Sequence, residues 1–464
     1  MSNTYRDLVN QTFDFPQEGF EVSDNELYFN GVNMMDIVHK YGTPLKLIYL
    51  PKISSQIQKA KSLFRKAIKA NKYKGKYFYC YCTKSSHFSH ILEEALKNDI
   101  HLETSYAYDI NIIRKLYEKK LIDKDRYIIC NGFKTKTYTT KIAALINDGF
   151  VNVIPVLDNM QEIDAYQRNV RGTCKIGIRI AAEEEPTFEF YTSRLGIRWR
   201  DILEFYVEKI HNNKKFELKI LHFFIGSGIR DTAYYWSELH KVLNVYCQLK
   251  NLSPTLDSIN IGGGFPIKNS LGFDYDYEYM INEIVSQIKN TCKKERVPVP
   301  NIFTEFGSYT VGESGANIYK VIAQKQQNDA ELWYMIDSSF ITTLPDTWGI
   351  GQRFLLLPLN KWNKDYQKVN LGGLTCDSQD YYNSEVHINQ VFLPKNSNGE
   401  PLYIGFFHTG AYQDQLSGYG GIKHCLIPSP KVVIIDKDKK GNLTDRLFAK
   451  QQSSASMLKI LGYK

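Results

Sequence analysis

A single lysine, Lys84, lies directly after the short apolar and aromatic run YFYCY at 77–81. A lysine at the end of a buried strand can be desolvated, which lowers the pKa of its amine and frees it for Schiff-base chemistry. An isolated lysine would more simply be a solvated surface residue. The interpretation of Lys84 therefore depends on which other groups share its end of the sheet.

Two glycine-rich turns follow later apolar runs of the same kind, IGSG at 225–228 and GGGF at 262–265. Because glycine has no side chain, its backbone N–H can approach phosphate oxygens closely, and a serine hydroxyl can add a further donor. Ser227, Gly263 and Gly264 are therefore candidates for a phosphate cradle. Glycine also serves tight turns that need a positive φ, so one such turn alone would be weak evidence. Two turns at strand ends favour the phosphate interpretation.

A third group is the carboxylate of Glu305, near the end of the apolar run IFTEF at 302–306. A half-buried carboxylate needs a cationic partner, because it would otherwise bind a proton. A protonated pyridine nitrogen would be such a partner. A Schiff-base lysine, a phosphate cradle and an acid for a ring nitrogen together indicate a pyridoxal 5'-phosphate site.

The elements that must position these groups alternate between apolar strands and helical segments over residues 45–308. The candidate strands are LKLIYL (45–50), YFYCY (77–81), IHLET (100–104), RYIIC (126–130), VNVIPV (151–156), KIGIRI (175–180), LKILHFF (218–224), SINIGG (258–263) and IFTEF (302–306). Strands that are apolar on both faces and separated by helices indicate a parallel sheet. Their number and spacing predict an α/β fold, a cofactor-binding (β/α)8 TIM-type barrel with its chemistry at the C-terminal strand ends. A doubly wound open sheet is the structural alternative.

The rest of the chain has a different pattern. Residues 309–464 contain β-branched and aromatic runs such as EVHINQVFL and KVVIIDKD, broken by Gly, Asn and Pro. This pattern predicts a second, mostly antiparallel β domain. Residues 1–44 are similar, with FEVSDNELYFNGV typical of a hairpin, so we expect this N-terminal segment to join the same β domain.

Composition excludes several classes of function. The chain has 464 residues and a net charge of +8, but its basic residues are scattered among acids, which argues against a nucleic-acid partner. Apolar runs stay well below the roughly 18–20 residues that span a bilayer, and the N-terminus lacks a signal-peptide pattern. Eight cysteines without paired CxxC motifs argue against a disulfide framework and against a metal site. We expect a cytoplasmic protein with no membrane contact.

Six segments, in sequence order, resemble landmarks of the fold-type III pyridoxal-phosphate-dependent decarboxylases. They are YCTK at 81–84, HFFIGS at 222–227, GGGF at 262–265, TEFG at 304–307, CDSQD at 376–380 and GAYQ at 410–413. The resemblance extends from about residue 25 to the end of the chain. NGFKTKTYTTKIA (131–143), LPDTWGIGQRFLLLPL (344–359) and GAYQDQL (410–416) are similar to the biosynthetic arginine decarboxylases. The implied function is the conversion of L-arginine to agmatine and CO₂ in polyamine and spermidine biosynthesis.

The resemblance implies roles for individual residues. Lys84 would attach the cofactor, and Cys376 would be the general acid that protonates the substrate Cα. Phe224, Ser308 and Tyr412 would complete the cofactor site. Arg179, at the end of KIGIRI, could pair with Glu103 or with the phenolic oxygen of the cofactor. A guanidinium or ammonium tail of the substrate needs carboxylates, for which the candidates are Asp377, Asp380 and Asp337; Asp377 and Asp380 could instead cap a turn. The family's Cys376 loop reaches the neighbouring subunit, which implies a homodimer or a higher homo-oligomer with interfacial active sites.

Two positions depart from the family pattern. Phe224 stands where the family has a histidine stacked on the pyridine ring, and Ser308 stands where it has a phosphate-binding arginine. His222, one strand step from Phe224, is expected on the other face as a packed barrel histidine. A charged hydrogen bond contributes about 1.5–3 kcal/mol, so weaker cofactor binding is expected unless another cation replaces the arginine.

These departures leave other functions open. One is a catalytically silent binding protein similar to the antizyme inhibitors, although such a protein would be expected to lose Lys84, Glu305 or Cys376. A racemase on the same fold is disfavoured by Glu305, because racemases place an arginine at the ring nitrogen. Decarboxylation of ornithine, diaminopimelate or carboxynorspermidine is also open, since these amino acids suit similar sites.

Overall fold

The computed structural model describes residues 3–182, 193–397 and 399–463. The chain divides into two compact units. The barrel unit comprises Ile53–Pro266 and Tyr275–Thr310, and the β unit comprises Met1–Lys52, Ile267–Asp274 and Val311–Lys464.

The barrel unit contains a closed barrel of parallel strands, which confirms the predicted fold class. Its strands are β1 (Tyr77–Cys82), β2 (His101–Thr104), β3 (Ile128–Cys130), β4 (Val153–Leu157), β5 (Cys174–Arg179), β6 (Phe216–His222), β7 (Ser258–Asn260) and β8 (Asn301–Phe306). Neighbours in sequence pair in parallel, and β8 closes the ring on β1. The C-terminal ends of all eight strands therefore lie at one end of the barrel.

Helices alternate with these strands because polar caps and apolar faces recur between them. The helices are Pro51–Ala70 at the unit boundary, Ser89–Leu96, Asp109–Glu118, Lys136–Asn147, Ile163–Asn169, Ile202–Lys209, Ala233–Leu252 and Tyr277–Lys294. Short 3₁₀ turns lie at Thr83–Ser85, Met160–Glu162 and Trp199–Asp201. Thr135, Thr232 and Asp276 cap the helices that follow them, since each side-chain oxygen accepts a backbone N–H of the first turn.

The barrel interior is packed with side chains rather than open. An apolar cluster of buried residues fills it, comprising Cys80, Ile129, Ile154, Val156, Ile220 and Phe303. Every residue of β4 is buried, which explains why its sequence is apolar on both faces.

The β unit is built on a ten-stranded sheet and a three-stranded sheet. The larger sheet contains Leu45–Tyr49, Gly315–Asn328, Glu331–Ile336, Leu355–Pro358, Tyr366–Gly372, Tyr381–Tyr382, Val391–Pro394, Tyr403–Phe407, Lys431–Lys437 and Leu443–Ala449. The smaller sheet contains Phe20–Ser23, Glu26–Phe29 and Val32–Asn33. Most pairs are antiparallel, and the exceptions pair Glu331–Ile336 with Tyr366–Gly372 and Lys431–Lys437 with Leu45–Tyr49.

Short helices connect the strands of the β unit. They are Tyr5–Thr12, Met34–Tyr41, Ser308–Val311 at the unit boundary, Phe340–Thr343, Pro345–Gly349, Gln413–Leu416 and Ser454–Ile460, with 3₁₀ turns at Gly312–Ser314 and His424–Leu426. The predicted N-terminal hairpin is confirmed, because Phe20–Ser23 pairs antiparallel with Glu26–Phe29. Asp24 and Asn25 form its two-residue turn with positive φ, as hairpins of this length require.

The boundary between the two units differs from the prediction of a barrel over residues 45–308. Leu45–Tyr49 is a strand as expected, but it pairs with Gly315–Asn328 and Lys431–Lys437 in the β unit. All five of its residues are buried. An apolar run of this kind fits any strand that is covered on both faces, so its pattern does not reveal which sheet it joins.

Across the described parts of the chain, no helix combines the length and the apolar character needed to cross a membrane.

Candidate active site

Lys84 lies in the 3₁₀ turn Thr83–Ser85, immediately after β1. Its Nζ atom is 3.5 Å from Oε2 of Glu103, near the end of the neighbouring strand β2. The Lys84 side chain is 46% exposed, whereas the Glu103 side chain is fully buried. Ser105 donates its hydroxyl to the other carboxylate oxygen of Glu103 at 2.8 Å. The lysine amine is therefore held at the barrel end by a buried carboxylate and remains accessible.

Glu305, near the end of β8, is the centre of a buried polar array. Its Oε1 atom accepts hydrogen bonds from the side-chain amides of Asn131 at 2.9 Å and Asn260 at 2.6 Å. Its Oε2 atom lies 3.1 Å from Nε2 of His222. Burial alone would raise the pKa of Glu305, but the charge and hydrogen bond of His222, with the charge of Lys84, hold it below its ordinary value. Glu305 is therefore an anion, as an acid that keeps a ring nitrogen protonated must be.

Three members of this array had no assigned role in the sequence. Asn131 directly follows β3 and Asn260 ends β7, so both occupy the same strand-end position as the predicted residues. The sequence signal that could have identified Asn131 and Asn260 is a polar residue at the end of an apolar strand. His222 is buried in the barrel as expected, but its ring also contacts the carboxylate of Glu305 on β8, although β7 lies between β6 and β8 in the barrel.

The glycine-rich turns after β6 and β7 pack backbone against backbone. The N–H of Ile229 donates to the carbonyl of Gly264 at 3.0 Å. A Cβ atom on Gly228 would lie 2.5 Å from that carbonyl oxygen, and one on Gly263 would lie 2.0 Å from the carbonyl oxygen of Glu305. Glycine is required here because the two turns and β8 approach one another too closely for a side chain. The turn that contains Ser227 thus lies against the turn that contains Gly263 and Gly264, and a phosphate cradle at these residues stays a prediction.

Arg179 and Phe224 form a second contact at this end of the barrel. The guanidinium carbon of Arg179 lies 5.8 Å from the centroid of the Phe224 ring, which is about one third exposed. Arg179 is buried, and its Nε–H has no hydrogen-bond partner within the described residues. Burial lowers the pKa of its guanidinium. The ion pair with Glu103 that the sequence suggested is not formed among those residues, since Glu103 contacts Lys84 and Ser105.

The barrel-end residues fit pyridoxal phosphate in charge and hydrogen-bonding capacity. Lys84 offers an accessible amine, Glu305 offers an anion, and the glycine turns offer backbone that is exposed at Gly264 and half-buried at Ser227. Arg179 adds a buried cation with an unused N–H donor, which suits an anionic oxygen of the cofactor. Ser308 begins the helix Ser308–Val311 and is half-buried.

The remaining predicted residues belong to the β unit. Asp380 is buried, and its Oδ1 atom accepts the N–H of Phe340 at 2.7 Å while its Oδ2 atom accepts the N–H and hydroxyl of Thr375 at 3.1 and 2.7 Å. Asp380 thus caps the helix Phe340–Thr343 and holds its own loop. Of the two roles considered for Asp380, substrate contact and turn cap, the contacts favour the turn cap. Asp377 is half-buried and accepts one N–H, from Gln379 at 2.8 Å.

Asp337 and Tyr412 occupy other positions of the β unit. Asp337 accepts the hydroxyl of Thr43 at 2.6 Å and the N–H of Lys320 at 3.0 Å, and burial raises the pKa of its carboxyl group. Tyr412 is half-buried and has a positive φ of 66°, which a non-glycine residue seldom adopts.

Cys376 is exposed, and its Sγ atom lies 3.5 Å from that of Cys425. The hydrogen bond between the two thiols raises the pKa of Cys376, which therefore keeps its proton at neutral pH. A protonated thiol is what a general acid requires. His424 adds a third ligand-type atom, and the three lie within 4.8 Å of one another, a spacing that a soft metal ion could also use.

Comparisons with known proteins identify a family for the chain. A family described as "Pyridoxal-dependent decarboxylase, pyridoxal binding domain" matches residues 55–312. A biosynthetic arginine decarboxylase of Prochlorococcus marinus is 22% identical to the chain, over 90% of this chain and 82% of that protein.

Two solved structures share the fold. The biosynthetic arginine decarboxylase SpeA of Campylobacter jejuni superposes with a TM-score of 0.82 at 20% identity, covering 99% of this chain and 90% of that one. The diaminopimelate decarboxylase of M. jannaschi superposes with a TM-score of 0.76 at 18% identity, covering 95% and 97%.

Proposed function

The chain belongs to the pyridoxal-dependent decarboxylase family, and on that premise we propose that it converts L-arginine to agmatine and CO₂. The observation that carries the proposal is the combination of Lys84 and the buried anion Glu305 at one end of the barrel, each on the end of its strand. The similarity to arginine decarboxylases over most of the chain supports arginine as the substrate.

Pyridoxal phosphate, when bound, supplies the electron sink that stabilises the negative charge left at Cα by loss of CO₂. Lys84 would hold the cofactor covalently through its ε-amine. Glu305 would keep a proton on the ring nitrogen, and Asn131, Asn260 and His222 orient its carboxylate for that task. Three donors on one buried carboxylate restrict its rotation, which favours a fixed proton position.

The family has a phosphate-binding arginine at the position of Ser308. Other hydrogen-bond donors must therefore bind the anionic oxygens of the cofactor here. We propose that Ser227, Gly263 and Gly264 bind the phosphate through the two packed turns, with Ser308 and Tyr412 as further donors. Arg179 is the buried cation available to the phenolic oxygen. Phe224 offers an aromatic face to the ring but cannot titrate.

Substrate recognition and Cα protonation are proposed for the loop that follows Tyr366–Gly372. Asp377 would accept the guanidinium N–H groups of arginine, since its carboxylate accepts a single backbone N–H within its own loop. Asp337 stays a second candidate. Asp380 is committed to backbone donors, so we assign it to holding this loop. Cys376 would donate its proton to Cα.

We further propose a homodimer in which the Cys376 loop of one subunit serves the barrel of the other, as the family resemblance implies. A cytoplasmic location is proposed as well, because the eight cysteines are free thiols.

The test is CO₂ release from arginine, ornithine, lysine, diaminopimelate and carboxynorspermidine, each with added cofactor. Arginine should give the highest kcat/KM. Turnover of another amino acid with arginine inert would refute the substrate assignment and leave the chemistry intact. If no amino acid releases CO₂ and borohydride traps no cofactor on Lys84, the silent binding protein becomes the better explanation.

A further inference from the structure

Two exposed thiols form a close pair in the β unit. Cys376 lies in the loop between Tyr366–Gly372 and Tyr381–Tyr382, and Cys425 lies in the 3₁₀ turn His424–Leu426. Their sulfur atoms are 3.5 Å apart, and both residues are exposed, whereas the other six cysteines are buried. Each sulfur belongs to a loop or turn rather than to a sheet strand.

We propose that Cys376 and Cys425 form a reversible disulfide that switches the enzyme off. A disulfide bond is about 2.05 Å long, so the two sulfurs need to approach by about 1.5 Å from their present separation. A movement of this size is within reach of side-chain rotation and small loop adjustment. Both thiols are exposed in the single subunit, which gives a small disulfide reagent an access to them that the buried thiols lack.

The chemistry is thiol–disulfide exchange with a low-molecular-weight disulfide, RSSR. The thiolate of one cysteine attacks RSSR, forms a mixed disulfide and releases one RS⁻, which takes up the proton that the cysteine lost. The second cysteine then loses its proton, attacks the protein sulfur of the mixed disulfide and releases the other thiol. The protein loses two hydrogen atoms, and RSSR is reduced to two molecules of RSH.

The effect on catalysis rests on the proposed function. A sulfur in a disulfide has no S–H proton, so the oxidised protein could not use Cys376 to protonate Cα. The bridge would also tie the loop that carries Asp377 to the turn that carries Cys425. Both effects reduce turnover without any change in the barrel.

A second pair of cysteines differs from the Cys376–Cys425 pair in its accessibility to solvent. Cys247 and Cys292, in the barrel unit, are also joined by a hydrogen bond, but both are buried. A reagent in solution reaches them only when the protein opens. Oxidation of the folded protein should therefore occur at Cys376 and Cys425 first.

The experiment treats the folded, full-length protein with oxidised glutathione in the presence of a metal chelator. Intact mass, peptide mapping and CO₂ release from arginine are measured before treatment, after it, and after reduction with a phosphine. The Cys425→Ser variant is the matched control, and Cys292→Ser controls for the buried pair.

The expected result is a loss of two hydrogen atoms, a peptide linking Cys376 to Cys425, and loss of CO₂ release that the phosphine restores. Cys425→Ser should instead retain one glutathione on Cys376, while Cys292→Ser should behave like the wild type. Absence of the linked peptide, or a link between Cys247 and Cys292 in its place, would overturn the disulfide. A complete link with unchanged turnover would overturn the switch. A reduced protein that releases no CO₂ would count against the proposed function alone, because the thiol measurements do not depend on it.

Discussion

The role of Glu305 can be tested by removing its charge while keeping its shape. In Glu305→Gln, the side-chain oxygen can still accept from Asn131 and Asn260, and the new amide can donate to Nε2 of His222 when that ring carries its proton on Nδ1. The array of hydrogen bonds seen in the structure is therefore satisfiable in the variant. The change isolates the negative charge from the geometry.

The size of the effect follows from the contacts of the carboxylate. A charged hydrogen bond contributes about 1.5–3 kcal/mol, against about 0.5–1.5 kcal/mol for a neutral one. The three bonds within the protein weaken, and the interactions that lower the pKa of Glu305 outweigh the cost of burying its charge, so we expect a lower Tm in a variant that still folds. The charged bond to a protonated ring nitrogen is lost outright. A loss of about 1.5–3 kcal/mol predicts a kcat reduced by about 10–150-fold.

The assay is the initial rate of CO₂ release from arginine at saturating substrate and cofactor. Borohydride reduction followed by peptide mapping should still place the cofactor on Lys84, because the attachment does not need the acid. Glu238→Gln is the matched control: Glu238 is a similarly buried carboxylate that pairs with Lys241 at 2.7 Å on the helix Ala233–Leu252. This control should keep the wild-type kcat.

A wild-type kcat in folded Glu305→Gln, with the Lys84 attachment preserved, would refute the reasoning. It would mean that the anion is not needed to keep the ring protonated. Equal losses in Glu305→Gln and Glu238→Gln would assign the effect to general damage to the fold.

Three further outcomes follow from the same structure. Lys84→Ala should abolish turnover and leave no borohydride-stable adduct on the protein; an adduct elsewhere would contradict the attachment site. Asp377→Asn should raise KM for arginine by about 10–150-fold with unchanged Tm, whereas Asp380→Asn should lower Tm because it weakens the bonds to Phe340 and Thr375; the reverse pattern would exchange their roles. His101, whose Nδ1 atom accepts the N–H of Tyr127, has a pKa lowered to about 4, first by burial and then by the charge of Arg126. Since an unfolded histidine binds its proton near pH 6.5, stability is full above that pH and falls by about 3 kcal/mol as the pH approaches 4. His101→Gln should lose less stability between pH 7.5 and 4.5 in urea unfolding, and an unchanged pH dependence would contradict this assignment.

The barrel and its main chemical groups could be predicted because their signals are local. Strands buried on both faces are largely apolar, and each of the eight barrel strands overlaps one of the predicted runs. A parallel barrel then brings all C-terminal strand ends together without any further information. Lys84 and Glu305 could therefore be assigned to one site from sequence position alone.

The partners within the site were harder to predict, because they come from distant parts of the sequence. Asn131 and Asn260 contact Glu305 across 174 and 45 residues. Nothing near Glu305 in the sequence specifies them, and an asparagine after a strand is common in ordinary turns. Only the order of strands around the barrel brings their amides to one carboxylate.

Residues of the β unit were hard to predict for the same reason, because their surroundings come from distant parts of the sequence. Asp377 and Asp380 look equivalent in the sequence CDSQD, yet one is half-buried and the other is enclosed by backbone donors. Cys425 has no recognisable link to Cys376 along 49 residues of chain. Local composition gives each side chain its chemistry, but burial and contact depend on which loops meet.

The sequence by itself determined the alternation of strands and helices, the reactive groups at the strand ends, and the family to which the chain belongs. The tertiary structure alone decided which sheet Leu45–Tyr49 joins, which donors hold Glu305 as an anion, and which cysteine lies next to Cys376. The physical reason is that strand and helix formation depend on side chains within a few residues. Ion pairs, hydrogen bonds and thiol contacts instead depend on distances of a few ångströms, which only the folded chain sets.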